Sequence, residues 1–223
     1  MCFSAQASIT SGVVLSAIGV TTLRQAGKPA QKLFAAIPLL FGLQQFAEGV
    51  LWITLKSGGN DKLQNVAAHI FLVAALVVWP VMVPTSIWLM EGVKKRRMIL
   101  SIFMGIGGIL SLFYAFCLLS FNVTPQIQSF HIVYIDSFPN FFARSAFLFY
   151  AATTVIPLFV SSVKRMWVFG VLITISLVVT GIFFKEYLTS VWCFFAAGVS
   201  LTIYWVLDES RSKANQLTSE FQQ

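Results

Sequence analysis

The sequence predicts an all-α fold, a polytopic membrane bundle of seven transmembrane helices. Hydrophobic residues make up 57% of the 223 residues and charged residues only 10%, whereas soluble domains carry about 25% charged residues. The mean hydropathy is correspondingly high, at +0.82. Seven apolar stretches are each long enough, or nearly so, to cross a hydrocarbon core, which takes about 20 helical residues.

Runs this long and continuous favour helices over the shorter, alternating strands of a membrane β-barrel. The sixth and seventh stretches are separated only by Lys185 and Glu186. The predicted spans are 4–23, 33–55, 66–90, 98–120, 140–162, 166–184 and 187–207. The transmembrane domain is therefore expected to cover residues 1–207, followed by a polar cytoplasmic tail at 208–223.

Basic residues predict the orientation of the bundle. The connections after the first, third and fifth spans, together with the tail, hold eleven of the 15 Lys and Arg residues. They are Arg24, Lys28, Lys32, Lys94, Lys95, Arg96, Arg97, Lys164, Arg165, Arg211 and Lys213. Because basic loops are retained on the cytoplasmic side, the N-terminus is expected outside and the C-terminus inside. The opening MCFSA would then be the extracytoplasmic end of the first span.

The formal charge of +7 indicates contact with anionic lipid headgroups rather than with nucleic acid. Its densest part is the run Lys94, Lys95, Arg96 and Arg97, directly before the fourth span. Such a run at a cytoplasmic helix end is typical of headgroup binding. No nucleic-acid motif accompanies it, so nucleic acid is not an expected partner.

Small residues and prolines indicate where helices approach or bend. Small residues four apart let a neighbouring helix come close. They are Ser8, Gly12 and Ser16 in the first span, and Ser101, Gly105 and Gly108, similarly spaced, in the fourth. The stretch WPVMVP places Pro80 and Pro84 in the third span, where a kink is expected because proline lacks an N–H donor.

The stretch QQFAEGVLW is the most unusual of the predicted spans, since it places Gln44, Glu48 and Trp52 one turn apart on one face. Ionisable groups inside a membrane are costly and usually face the bundle interior or a wet cavity. A polar pocket in the outer half is therefore expected. Its candidate ligand-binding residues are Gln44, Glu48, Trp52, Trp79, Arg144 and Trp192. The structural alternative is that Glu48 only pairs with Arg144 or a glutamine.

Both histidines and all three cysteines are predicted on the outer side. Cys, His and Glu side chains suit zinc or copper. The candidate metal ligands are Cys2, Glu48, His69, His131 and Cys193. No CxxC or HExxH motif supports such a site. The alternatives are an interfacial role for His69, packing for Cys117, and a disulfide between Cys2 and Cys193 on the oxidising side.

Four motifs resemble a family of bacterial multi-pass membrane proteins of unknown function that begin MCFSA. They are MCFSA itself, QQFAEGVLW, WPVMVP with the following LME, and SVWCFFAA. The resemblance extends from the first residue to about residue 205. It implies a multi-pass fold in the bacterial cytoplasmic membrane and draws attention to Cys2, Glu48, Trp79, Pro80, Trp192 and Cys193. It implies no activity or cofactor.

Three classes of function remain open from the sequence. The favoured one is a membrane protein that binds a ligand or metal in an outward-facing pocket. A membrane enzyme is the second, with Cys2 or Cys193 as nucleophile or metal ligand and His69 or His131 as base. A small transporter or channel subunit is the third. A retinal protein is excluded because the last span has no lysine, and a three-histidine zinc site because the chain has only two histidines.

Overall fold

The computed structural model describes residues 4–128, 131–139, 143–183 and 188–207, with side chains at all of these except 143, 144 and 188. The helices are α1 (Ala5–Gln25), α2 (Pro29–Ala35), α3 (Ile37–Ser57), α4 (Asp61–Leu72), α5 (Trp79–Met90), α6 (Lys94–Ser120), α7 (Ala143–Val160), α8 (Met166–Phe183) and α9 (Leu188–Val199). A π-helical segment, Val73–Val78, joins α4 to α5. Each of the predicted apolar stretches is largely helical where it is described, which confirms the all-α prediction.

Among the residues that the structure describes, five helical segments are long and apolar enough to cross a membrane. They are Ala5–Gln25, Pro29–Ser57, Asp61–Met90, Lys94–Ser120 and Met166–Phe183. The apolar helices Ser145–Val160 and Thr189–Val199 are shorter. The predicted tail at 208–223 lies outside the described residues.

Helices α1 and α3 pack along a seam of small residues, as Ser8, Gly12 and Ser16 predict. A Cβ atom placed on Gly12 would lie 3.2 Å from the carbonyl oxygen of Gly42. A Cβ atom on Gly42 would in turn lie 2.7 Å from Ser16 Oγ. The two backbones therefore approach directly, which is the packing that small residues permit in membrane helices.

Because the prolines of WPVMVP have no N–H, backbone carbonyls in this segment lack a helical donor and accept hydrogen bonds from side chains of other helices. The N–H of Trp79 donates to Ala74 O, five residues back, as in a π-helix. If this spacing continued, the N–H of residue 80 would donate to Ala75 O, but residue 80 is proline and has no N–H. The hydroxyl of Tyr150 on α7 donates to Ala75 O instead. Neighbouring side chains thus satisfy carbonyls that the helix itself leaves free.

The small residues predicted to pack on α6 are not the ones that do so. Cβ atoms on Gly105 and Gly108 would meet nothing within 4 Å, and Ser101 is exposed, its Oγ accepting from Trp88 Nε1 at 3.1 Å. The close contact is made by Gly107, where a Cβ atom would lie 2.0 Å from Pro80 O. Because Pro84 removes the N–H that would bond to Pro80 O, α6 approaches α5 at the carbonyl that this proline leaves free.

The connection between the fourth and fifth predicted spans contains a β-hairpin. Strands β1 (Val123–Gln128) and β2 (His131–Asp136) pair antiparallel, with Val123 opposite Asp136. The buried side chain of Ile132 packs in a cluster with Trp52 of α3 and Ala68 of α4. The ring of Tyr134 stacks on Phe71 at 5.1 Å between centroids. The hairpin therefore covers one end of the bundle.

Glu91 joins two loops, the one between α5 and α6 and the one between α7 and α8, at the end of the bundle opposite the hairpin. Its carboxylate, 3% exposed, accepts the N–H of Val93 at 2.8 Å. It also accepts the N–H and the hydroxyl of Ser162, both at 2.7 Å. Burial raises the pKa of Glu91, but these hydrogen bonds and the charge of Arg96 outweigh it, so the net pKa is lowered.

We expect Glu91→Gln to destabilise the protein at neutral pH and much less in acid. A lowered folded-state pKa stabilises the fold above the unfolded value of about 4.3, and this contribution is lost as the pH falls through the folded-state pKa. Thermal unfolding of detergent-purified protein between pH 7 and pH 3 measures it. A difference between wild type and Glu91→Gln that stays constant over this range would contradict the assignment.

Candidate functional site

Gln44, fully buried on α3, contacts three other helices of the bundle. Its Oε1 accepts the indole N–H of Trp79 at 3.0 Å. Its Nε2 donates to the backbone oxygen of Phe71 at 3.3 Å and lies 3.7 Å from Cys193 Sγ. The side chain thereby joins α3 to α4, α5 and α9, so the polar face predicted from QQFAEGVLW points into the bundle interior.

Glu48, one turn from Gln44, is also fully buried. Ser190 Oγ on α9 donates to its Oε1, and Gln45 Nε2 donates to its Oε2 at 3.5 Å. Ser190 was missed from the sequence, although its position three residues before Cys193 places it on the same face of α9. A buried carboxylate with hydroxyl and amide donors is the arrangement that limits its desolvation cost.

The predicted tryptophans divide between two places. Trp79 stacks on Phe41 at 4.2 Å, and Trp192 meets Tyr150 edge-on at 5.6 Å, so both lie in the central core. Trp52 instead packs beneath the hairpin, with Lys56 Nζ 5.2 Å from its ring centroid. Among the described residues, no partner accepts the buried indole N–H of Trp192.

Three cavities follow one another from the hairpin into the bundle. The outer cavity, about 200 Å³, lies between the hairpin, α6 and the start of α9. The middle cavity, about 120 Å³, shares Leu76, Tyr114 and Thr189 with it. The inner cavity, about 50 Å³, is almost entirely apolar, extends to Leu158, and shares Tyr150, Trp192 and Cys193 with the middle one. Because they share lining residues, the three cavities adjoin one another in a series along the bundle.

The candidate metal ligands do not gather in the described part of the chain. Within residues 4–128, 131–139, 143–183 and 188–207, no three His, Cys, Asp or Glu side chains are placed to hold a metal ion. His69 Nδ1 lies 2.7 Å from Asn65 O. His131 is buried in the hairpin, and this burial lowers its pKa. Cys193 is a free thiol, whereas Cys2 and the side chain of Arg144 lie outside the description.

Several residues of the cavity series were not among the sequence candidates. Tyr114, Tyr134, Asp136 and Thr189 line the outer cavity, and Tyr150 lines the two deeper ones. The alternation in HIVYID carries a signal for Tyr134 and Asp136, because residues two apart share one face of a strand. Nothing in the local sequence marks Tyr114 or Tyr150.

The chain belongs to a family of unknown function, DUF6629, whose model matches residues 1–219. This agrees with the resemblance seen in the four motifs, and the match covers nearly the whole chain. No curated protein and no solved structure shows significant similarity to it.

Proposed function

We propose that this protein crosses the membrane seven times, with an extracytoplasmic N-terminus, and binds a small organic ligand from the outer side. Helix α7 has 18 residues, which is about 27 Å of helix. Beyond α9, residues 202–207 are again helical, and Ile203 N–H donates to Ser200 O across the intervening turn. Residues 188–207 together give about 30 Å, enough for a seventh crossing.

Side-chain contacts at the basic ends of the helices support a membrane interface at that end of the bundle, and the excess of basic residues assigns this end to the cytoplasm. Arg97 lies 3.9 Å above the ring of Trp88, and Arg165 lies 4.0 Å above the ring of Trp205. Tryptophan is enriched at membrane interfaces, and both pairs belong to the side that the basic residues assign to the cytoplasm. The exposed run Lys94, Lys95, Arg96 and Arg97 is proposed to contact anionic headgroups there.

The cavity series is the observation that carries the proposed binding function. It begins at the hairpin, on the proposed outer side, and ends beside Trp79 and Cys193 in the bundle core. Aromatic and aliphatic side chains dominate its walls, with a few hydroxyl groups, the thiol of Cys193 and the carboxylate of Asp136. Mostly apolar walls with few polar groups are typical of small-molecule sites. The ligand is therefore expected to be elongated and largely apolar.

We expect Cys193 to react with a small neutral thiol reagent faster than Cys117 does. Both thiols are buried, 5% exposed for Cys193 and 0% for Cys117, but Cys193 lines the middle and inner cavities, whereas Cys117 lines none of the three. The test compares Cys2→Ala/Cys117→Ala with Cys2→Ala/Cys193→Ala in lipid nanodiscs. Methyl methanethiosulfonate is added, and intact-mass spectrometry follows the modification.

Ala146 provides a control for whether the reagent reaches Cys193 through the outer cavity. It is 5% exposed and lines the outer cavity, so Ala146→Trp should obstruct the series and slow the modification of Cys193. Equal rates for the two thiols, or an unchanged Cys193 rate with Ala146→Trp, would overturn the proposed binding route.

A further inference from the structure

The outer cavity combines four aromatic rings with one carboxylate. The rings are Phe113, Tyr114, Tyr134 and Phe138, and the carboxylate is Asp136. Asp136 is the one charged side chain among the described residues that line this cavity. Its Oδ1 accepts the N–H of Phe138 at 3.1 Å, and the side chain remains exposed.

The fold brings these groups together from separate parts of the chain. Tyr134 and Asp136 lie two apart on β2, so both can line the same cavity. Phe113 and Tyr114 come from α6, with their ring centroids 5.4 Å apart. Thr189 of α9 completes the wall toward the middle cavity. The hairpin therefore supplies the charge, while the transmembrane helices supply much of the aromatic surface.

We infer that the outer cavity binds the charged group of an organic cation, a protonated or quaternary amine. Aromatic faces attract cations held within about 6 Å, and Asp136 adds a full negative charge. A bare metal ion would need several oxygen ligands, but the described lining offers one carboxylate. The volume of about 200 Å³ also suits an organic ammonium group. This inference deepens the proposed function, on which it rests.

The deeper cavities indicate the rest of this ligand. The middle cavity continues from Tyr114 and Thr189 to Tyr150 and Trp192, and its lining contains no charged side chain among the described residues. An apolar portion attached to the ammonium group would extend into it. The inferred ligand is therefore an amphiphilic amine, bound with its cation near the hairpin.

The experiment measures charge selectivity at Thr189, where the outer and middle cavities meet. Thr189→Cys is made in a background carrying Cys2→Ala, Cys117→Ala and Cys193→Ala. Its modification rate is measured with trimethylammonium-ethyl methanethiosulfonate, a cation, and with sulfonatoethyl methanethiosulfonate, an anion. We expect the cation to be favoured about tenfold, equivalent to about 1.4 kcal/mol, relative to the same ratio at Leu63→Cys. Leu63 is an exposed residue near the start of α4 that does not line the cavity.

Further variants decide between the possible outcomes. Asp136→Asn should reduce the ratio to that of Leu63→Cys, and Asp136→Glu should retain the preference for the cation. Tetraethylammonium should slow the modification in the protein that retains Asp136. This measurement tests the inference even if Asp136→Asn does not fold. Modification without charge preference, or preference unaffected by Asp136→Asn, would overturn the cation site alone. No modification by either reagent would overturn the proposed binding route itself.

Discussion

Replacing Gly107 with alanine is expected to prevent normal packing of the bundle, with a loss of about 3 kcal/mol or more. The added Cβ would lie 2.0 Å from Pro80 O and 2.8 Å from Pro80 C. Both are backbone atoms, so no side chain can move aside, and α5 and α6 must separate. Separation would also disturb the bond from Ser111 Oγ to Val77 O. Membrane expression and thermal unfolding in detergent measure the effect.

Gly108 provides a matched control for Gly107 because it is the next residue on the same helix. A Cβ on Gly108 would meet nothing within 4 Å. Gly108→Ala should leave unfolding unchanged or raise the midpoint slightly, since alanine favours helix by about 1 kcal/mol over glycine. If both variants unfold alike, the close approach of α6 to Pro80 is not the cause.

The helices and the inward polar face could be predicted from the sequence. Apolar runs of about 20 residues predict helices directly, and all the predicted stretches are largely helical where described. The cost of a buried ionisable group likewise predicts that Gln44 and Glu48 face the interior, and both are fully buried. Trp79 was a sequence candidate, and it binds Gln44 directly.

Contacts that depend on helix rotation could not be predicted. The spacing of Ser101, Gly105 and Gly108 is typical of a packing seam, but Gly107 makes the close contact. Gly107 is the glycine that lies opposite the free carbonyl of Pro80 on α5, and the sequence of α6 alone does not show this. Glu91 likewise accepts hydrogen bonds from Ser162, 71 residues away in the sequence. Local pattern carries no information on such distant partners.

The second large effect is expected at Gln44. Replacing it with leucine leaves the indole N–H of Trp79 and the carbonyl of Phe71 without the partners they have now. An unsatisfied buried group costs about 1–3 kcal/mol, whereas hydrogen bonds between membrane helices average only about 0.6 kcal/mol. For two such groups, we expect Gln44→Leu to lower the free energy of unfolding by about 1–4 kcal/mol.

Gln45→Leu is the matched control, because Gln45 is an adjacent glutamine that is equally buried at 0% exposure. Its Nε2 makes a bond of 3.5 Å to Glu48, and its Oε1 has no partner among the described residues. Leucine removes that unsatisfied oxygen, which offsets the bond lost to Glu48. Chemical unfolding of the purified variants should therefore show a clearly larger loss for Gln44→Leu. Equal losses would mean that burial of a glutamine-sized side chain, and not the connection of α3 to α4 and α5, sets the contribution of this position.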